Sequence, residues 1–98
     1  MALDERIKTD QIDDLFEAIL TLKTKDEAYK FFEDLSTIAE IKSMAQRWAV
    51  ARKLDAGETY TDIATETGAS TATISRVKRY LEYGADGYRL VLDRMKKG

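Results

Sequence analysis

An all-α fold of six helices is the architecture this sequence predicts, and three observations predict it. No proline interrupts the 98 residues, so no backbone donor is missing where long helices need one. Apolar residues recur at spacings of three and four, which gathers them on one helix face. Hydroxyl residues stand where helices should begin, and the glycines fall late, at Gly57, Gly68, Gly84, Gly87 and Gly98, where helices can end.

The first helix is expected from about Gln11 to Leu22, with Ile12, Leu15, Phe16, Ile19 and Leu22 on a wide apolar face. Thr24 followed by Glu27 has the form of a capping box and opens a second helix, whose stripe is Ala28, Phe31, Phe32 and Leu35. Thr37 with Glu40 repeats that signal before the longest element, about Ile38 to Ala56. That helix carries Ile41, Met44, Ala45, Trp48, Ala51 and Leu54 until Gly57 stops it. Thr59 and Ser70 are natural caps for a fourth and a fifth helix, and Asp86 for a sixth bearing Tyr88, Leu90, Val91, Leu92 and Met95. Short loops and the lack of repeats predict a single domain over 1–98, divided into 1–35, 36–58, 59–83 and 86–97.

The segment from Thr59 to Leu81, TYTDIATETGASTATISRVKRYL, spells two short helices joined by a tight turn. Ala64 is small enough to let the helices cross closely. Gly68, four residues later, can take the left-handed conformation that ends the first of them. Ile63, Ile74 and Val77 fill the wedge between them. The outer face of the second helix then carries Thr71, Ala72, Thr73, Ser75, Arg76, Lys78 and Arg79, with Ser70 at its start. Short hydroxyls and cations suit a DNA major groove, although none of these residues except arginine offers bidentate base readout. Base reading is assigned to Thr71, Ala72, Thr73 and Ser75, directly or through water, and phosphate attraction to Lys78 and Arg79. The plainer alternative is a capping serine followed by a solvated face.

Composition removes several function classes. There is no cysteine and no histidine, so disulfides, thiolate nucleophiles, Cys/His zinc sites and Ser-His-Asp triads have no parts. Adjacent acids such as Asp13 and Asp14, or Glu33 and Asp34, point different ways from a helix and cannot easily share an ion. No metal, cofactor or enzymatic activity is expected. An apolar run near the roughly 20 residues that span a bilayer is missing and no signal peptide is seen, so a cytoplasmic protein without a membrane partner is expected. The formal net charge of -2 conceals an uneven distribution. Residues 1–40 hold 11 acids against 5 bases, whereas residues 41–98 hold 11 bases against 7 acids, which orients the molecule toward a polyanion.

Two arguments predict a pair of chains. Two helices are too few to enclose Phe16, Phe31 and Phe32, which therefore pack on the long third helix or on a second copy. One recognition helix also reads only a few base pairs, and a two-fold homodimer sets two of them about one DNA turn, roughly 34 Å, apart. The aromatics Trp48, Tyr60, Tyr80, Tyr83 and Tyr88 stand at helical spacing and are expected in the core rather than in a base-stacking surface.

From Leu35 to about Met95, most specifically in GASTATISR from Gly68 to Arg76 and in the long helix ending before Gly57 and Glu58, the chain resembles the tryptophan repressor superfamily and its YerC/YecD-type branch. The resemblance implies a six-helix, intertwined homodimer in which the N-terminal helices of each chain, 1–35, pack on the other. It also implies a helix-turn-helix at 59–83. The family's amino-acid corepressor is held partly by two arginines and a threonine, which match Arg47, Arg76 and Thr37. Val77 and Tyr80 stand where that family has glycine and serine. Their added bulk argues against L-tryptophan, since overfilling a closed site costs about 1–3 kcal/mol. Arg76 is equally placed for a DNA phosphate, and Arg47 for an ion pair or for stacking on Tyr80. Thr61 and Ala64 replace basic contacts usual in the family, which implies weaker DNA affinity or a different operator.

The expectation is thus a transcription regulator, a repressor bound as a homodimer to a pseudo-palindromic operator in double-stranded DNA, either gated by a small-molecule effector other than L-tryptophan or working with no effector at all. The competing expectation is a protein-interaction adaptor that uses the acidic N-terminal half.

Overall fold

The computed structural model describes residues 5–97 as helices joined by short loops. After a single 3-10 turn at Glu5–Ile7, six α-helices follow: α1 Asp10–Ile19, α2 Lys25–Leu35, α3 Ile38–Asp55, α4 Tyr60–Thr67, α5 Thr71–Tyr83 and α6 Gly87–Lys97. The residues fall into two compact units, one up to Ile41 and one from Lys42 onward.

Local chemistry accounts for most of the boundaries. Thr24 Oγ1 accepts the Glu27 N–H at 3.1 Å, while Glu27 Oε1 accepts the N–H of Lys23 at 2.8 Å. At α3 the exchange is fully reciprocal, with the Glu40 N–H donating to Thr37 Oγ1 at 3.1 Å and the Thr37 N–H donating to Glu40 Oε1 at 2.8 Å. These bonds satisfy donors that no helical carbonyl can reach. They also hold the Glu40 carboxyl below its ordinary range, because the Thr37 backbone N–H favours the charged form.

Both ends of α1 differ from expectation. Helix α1 stops at Ile19 rather than Leu22, because the Thr21 and Leu22 N–H groups donate to Ala18 and Ile19 at 3.1 Å in tight turns and Thr21 Oγ1 donates to the Ala18 carbonyl at 2.7 Å. It begins one residue early as well, on Thr9, whose Oγ1 accepts the Ile12 N–H at 3.2 Å. Before α6, Asp86 has φ 68, a left-handed backbone unlike the extended one of Thr9, Thr24, Thr59 and Ser70.

Within the unit up to Ile41, no described residue is buried. Phe31 and Phe32 meet edge to face, 5.6 Å between centroids, and both are only half-buried. The unit from Lys42 onward contains a closed core of Val50 and Ala51 from α3, Ile63 from α4, Ala69 from the following turn, and Ile74 and Val77 from α5. Trp48 stacks on Tyr88 of α6 at 6.2 Å beside it. Of the aromatics expected in the core, Trp48, Tyr60 and Tyr88 line its border, whereas Tyr80 and Tyr83 are exposed.

Candidate nucleic-acid interface

Helices α4 and α5 and the turn between them form the helix-turn-helix. Thr59 Oγ1 accepts the Asp62 N–H at 3.2 Å to start α4, and Gly68 at φ +74 ends it by donating its N–H to the Ala64 carbonyl at 2.9 Å. Residues with a Cβ adopt that φ only at a cost, which is why a glycine stands there. Ala69 then turns inward and is 4% exposed. Ser70 Oγ accepts the Thr73 N–H at 3.1 Å and starts α5. Ile63 and Ile74 are fully enclosed, and burial of each contributes about 1.5–3 kcal/mol relative to exposure.

A rotation of about 100° per residue settles which side chains α5 can present. With Ile74, Val77 and Leu81 on the inner face, the opposite face carries Ala72, Ser75, Arg76 and Arg79, with Thr71 at its margin, all exposed. The other residues expected to contact DNA lie elsewhere. Ser70 and Thr73 are joined hydroxyl to hydroxyl at 3.1 Å as part of the cap. Lys78 sits on the flank, its Nζ 5.8 Å from the Tyr60 ring centroid and 4.0 Å from Glu82.

The surrounding ion pairs leave that outward face positive. Lys53 on α3 bonds Glu66 of α4 and lies 3.7 Å from Glu58. Asp55 receives Arg89 at 2.9 Å and Lys96 at 2.7 Å, both from α6, and its side chain is 12% exposed. The Lys96 and Arg89 cations hold the Asp55 carboxyl below its usual value, and the Lys53 bond does the same for Glu66. Three acids of this basic half are thereby neutralised by partners away from α5. Arg76 and Arg79 make no ion pair among the described residues.

The second set of expected residues divides between the units, with Thr37 in the one up to Ile41 and Arg47, Arg76, Val77 and Tyr80 in the one from Lys42 onward. Val77, 1% exposed, is spent on the helix-turn-helix core. Arg76 lies beside it in sequence but about 100° round the helix, on the outward face. Arg47 Nη1 donates to Ser43 Oγ at 3.2 Å, one turn earlier on α3; that bond takes the place of the expected ion pair or aromatic stack. Tyr80 is 57% exposed and lines an open cavity of about 510 Å³ with Trp48, Ala85, Gly87, Tyr88 and Val91. Thr37 caps α3.

Sequence reasoning did not single out Gln46, Lys53 or Asp55, whose long-range bonds organise this unit. Their only signal is a polar side chain within a turn of a core residue on α3, and that pattern fits any solvated helix. Among the described residues, no group of three or more Asp or Glu side chains could hold a metal ion, and no helix is long and apolar enough to cross a membrane.

Comparison with known proteins agrees with this geometry. The family described as Trp repressor protein matches residues 10–96. The Bacillus subtilis (strain 168) protein YerC, itself uncharacterised, is 57% identical over 93 residues, covering 95% of this chain and 89% of YerC. The crystal structure of a TrpR-like protein from Eubacterium eligens ATCC 27750 superposes with a TM-score of 0.92 at 56% identity, covering 95% of this chain and 96% of that one. A crystal structure from Staphylococcus aureus gives 0.91 at 50% identity, covering 98% and 96%. Matched by this family's model over residues 10–96 and 57% identical to YerC across most of its length, the chain belongs to the Trp repressor family and to its YerC-like members.

Proposed function

We propose that this protein is a sequence-specific transcription regulator, a cytoplasmic repressor that binds a pseudo-palindromic operator as a homodimer. The observation that carries this reading is the outer surface of α5, where Ala72 and Ser75, with Thr71 at the margin, are followed by Arg76 and Arg79, neither arginine ion-paired among the described residues. Methyl and hydroxyl groups at the helix start suit base edges, and the two guanidinium groups suit phosphates. Selection of bound duplexes from a random pool tests it. An enriched pseudo-palindrome with half-sites about one turn apart, and affinity falling steeply with salt, is expected. No enrichment at low salt would overturn it.

The homodimer rests on the unit up to Ile41. Phe16, Leu20, Leu35 and Ile38 are each at least half exposed there, and a second copy supplies the apolar cover that water cannot. Sedimentation should give twice the chain mass; a monomer that pulls down a different protein through this unit would favour an adaptor instead.

The small-molecule reading excludes L-tryptophan. Val77 already fills the helix-turn-helix wedge, and Tyr80 adds a ring one turn on. Arg47 and Arg76 keep the donors that a carboxylate effector requires. L-tryptophan should leave the melting temperature unchanged, whereas the true effector should raise it and tighten DNA binding together.

A further inference from the structure

Among the described residues, one side-chain hydrogen bond ties the turn of the helix-turn-helix to α3. Gln46 Nε2 donates to the carbonyl of Thr67 at 3.2 Å, across 21 residues, in partly buried surroundings. That carbonyl belongs to the last residue of α4, where helix geometry leaves acceptors without an intrahelical donor. Thr67 also acts through its hydroxyl, which donates to the Ile63 carbonyl at 2.7 Å and accepts the Ala69 N–H at 3.1 Å. Gly68 follows immediately, and a Cβ built there would lie 3.9 Å from Gln46 Nε2. Gln46, Thr67 and Ala69 thus form one connected set at the point where the chain changes direction between α4 and α5.

Gln46 precedes Val50 by one helical turn and Lys53 by two, so all three lie on one face of α3. Val50 supplies the apolar contact in the middle. Lys53 grips Glu66, the residue before Thr67, at one end of this face. Gln46 grips Thr67 itself at the other. The lysine contact is ionic and partly exposed, so salt weakens it. The glutamine contact is neutral and survives the ionic strengths at which DNA binding is measured.

We propose that Gln46 is a positioning residue for DNA recognition: by pinning the Thr67–Ala69 turn to α3 it sets the angle at which α5 meets the groove. The proposal rests on the DNA-binding reading above. A tilt of α5 displaces Thr71, Ala72 and Ser75 from base edges before it removes Arg76 and Arg79 from phosphates, because base contacts demand closer geometry than charge attraction does. Gln46 therefore governs discrimination more than total affinity.

Gln46→Met keeps length and helix propensity while removing the donor. Amide hydrogen exchange on the full-length free protein should show Ala69 exchanging about five-fold faster than in the parent, with Val50 and Ile74 unchanged, as the loss of one net hydrogen bond implies. Binding to the selected duplex and to a scrambled one at the same salt should show their affinity ratio falling about five-fold, with scrambled-duplex affinity and salt slope unchanged. Unchanged exchange at Ala69 overturns the clamp. Faster exchange with an unchanged ratio overturns the positioning role, as does an equal loss on both duplexes. If the parent protein selects no duplex, the DNA reading and the positioning role fall together, and the exchange arm still decides the clamp.

Discussion

Residues 5–41 and residues 59–83 are both amphipathic helical segments of comparable apolar content, yet one encloses nothing and the other closes on itself. In the helix-turn-helix, Ile63, Ala69, Ile74 and Val77 are nearly free of solvent because a glycine turn brings two short helices together over Val50 and Ala51. In the N-terminal segment, sharper amphipathic stripes leave Phe16, Leu20, Leu35 and Ile38 at least half exposed. Amphipathicity states that a face must be covered; only a partner at the right angle covers it. The contrast separates a folding core internal to the chain from a face requiring a second surface.

The largest effect that tests this contrast is a cavity in the closed core. Ile74→Ala should cost about 2–5 kcal/mol in denaturant unfolding, whatever the protein concentration. The matching change in the open segment, Phe16→Ser, should instead act through association: the sedimentation mass falls toward one chain and the melting temperature becomes strongly concentration-dependent. Equal, concentration-independent losses from both would erase the distinction. Gly68→Ala comes next, at about 1–2 kcal/mol, because alanine must then hold a left-handed φ.

A pH effect of smaller size is expected at Asp55. Its folded-state carboxyl titrates below the ordinary value because Lys96 and Arg89 favour the anion. The stabilisation is therefore fully present above the unfolded carboxylate range near pH 3.9 and fades as pH falls through the lower folded value. Asp55→Asn should lower the melting temperature at pH 7 and converge with the parent protein in strong acid. A constant difference at all pH values would assign the loss to packing. The smallest stability effect belongs to Arg79→Ala, which should leave the melting temperature within about a degree, since exposed positions without partners contribute little. It should reduce the magnitude of the slope of log affinity against log salt by about one.

Much of the helix-turn-helix was legible because its determinants are local. The Thr59 and Ser70 caps, Gly68 and the stripe of Ile74 and Val77 each act within four residues. The four outward residues of α5 also follow from helical period. Thr73 and Lys78 were harder to place, since a hydroxyl and an ammonium on the margin can face water or fold back, and here they meet Ser70 and Tyr60. Leu22 illustrates the opposite error: apolar spacing extended α1 beyond the turns at Thr21 that end it.

Helix starts, the left-handed turn and the core face of α5 were therefore determined by the chain alone, because capping bonds and side-chain period are fixed by neighbours in sequence. Tertiary structure alone decided that Asp55 gathers Arg89 and Lys96 and that Gln46 reaches Thr67. Those contacts join residues that are distant along the chain, and no local pattern names the partner of a polar side chain until packing has brought its helix into range.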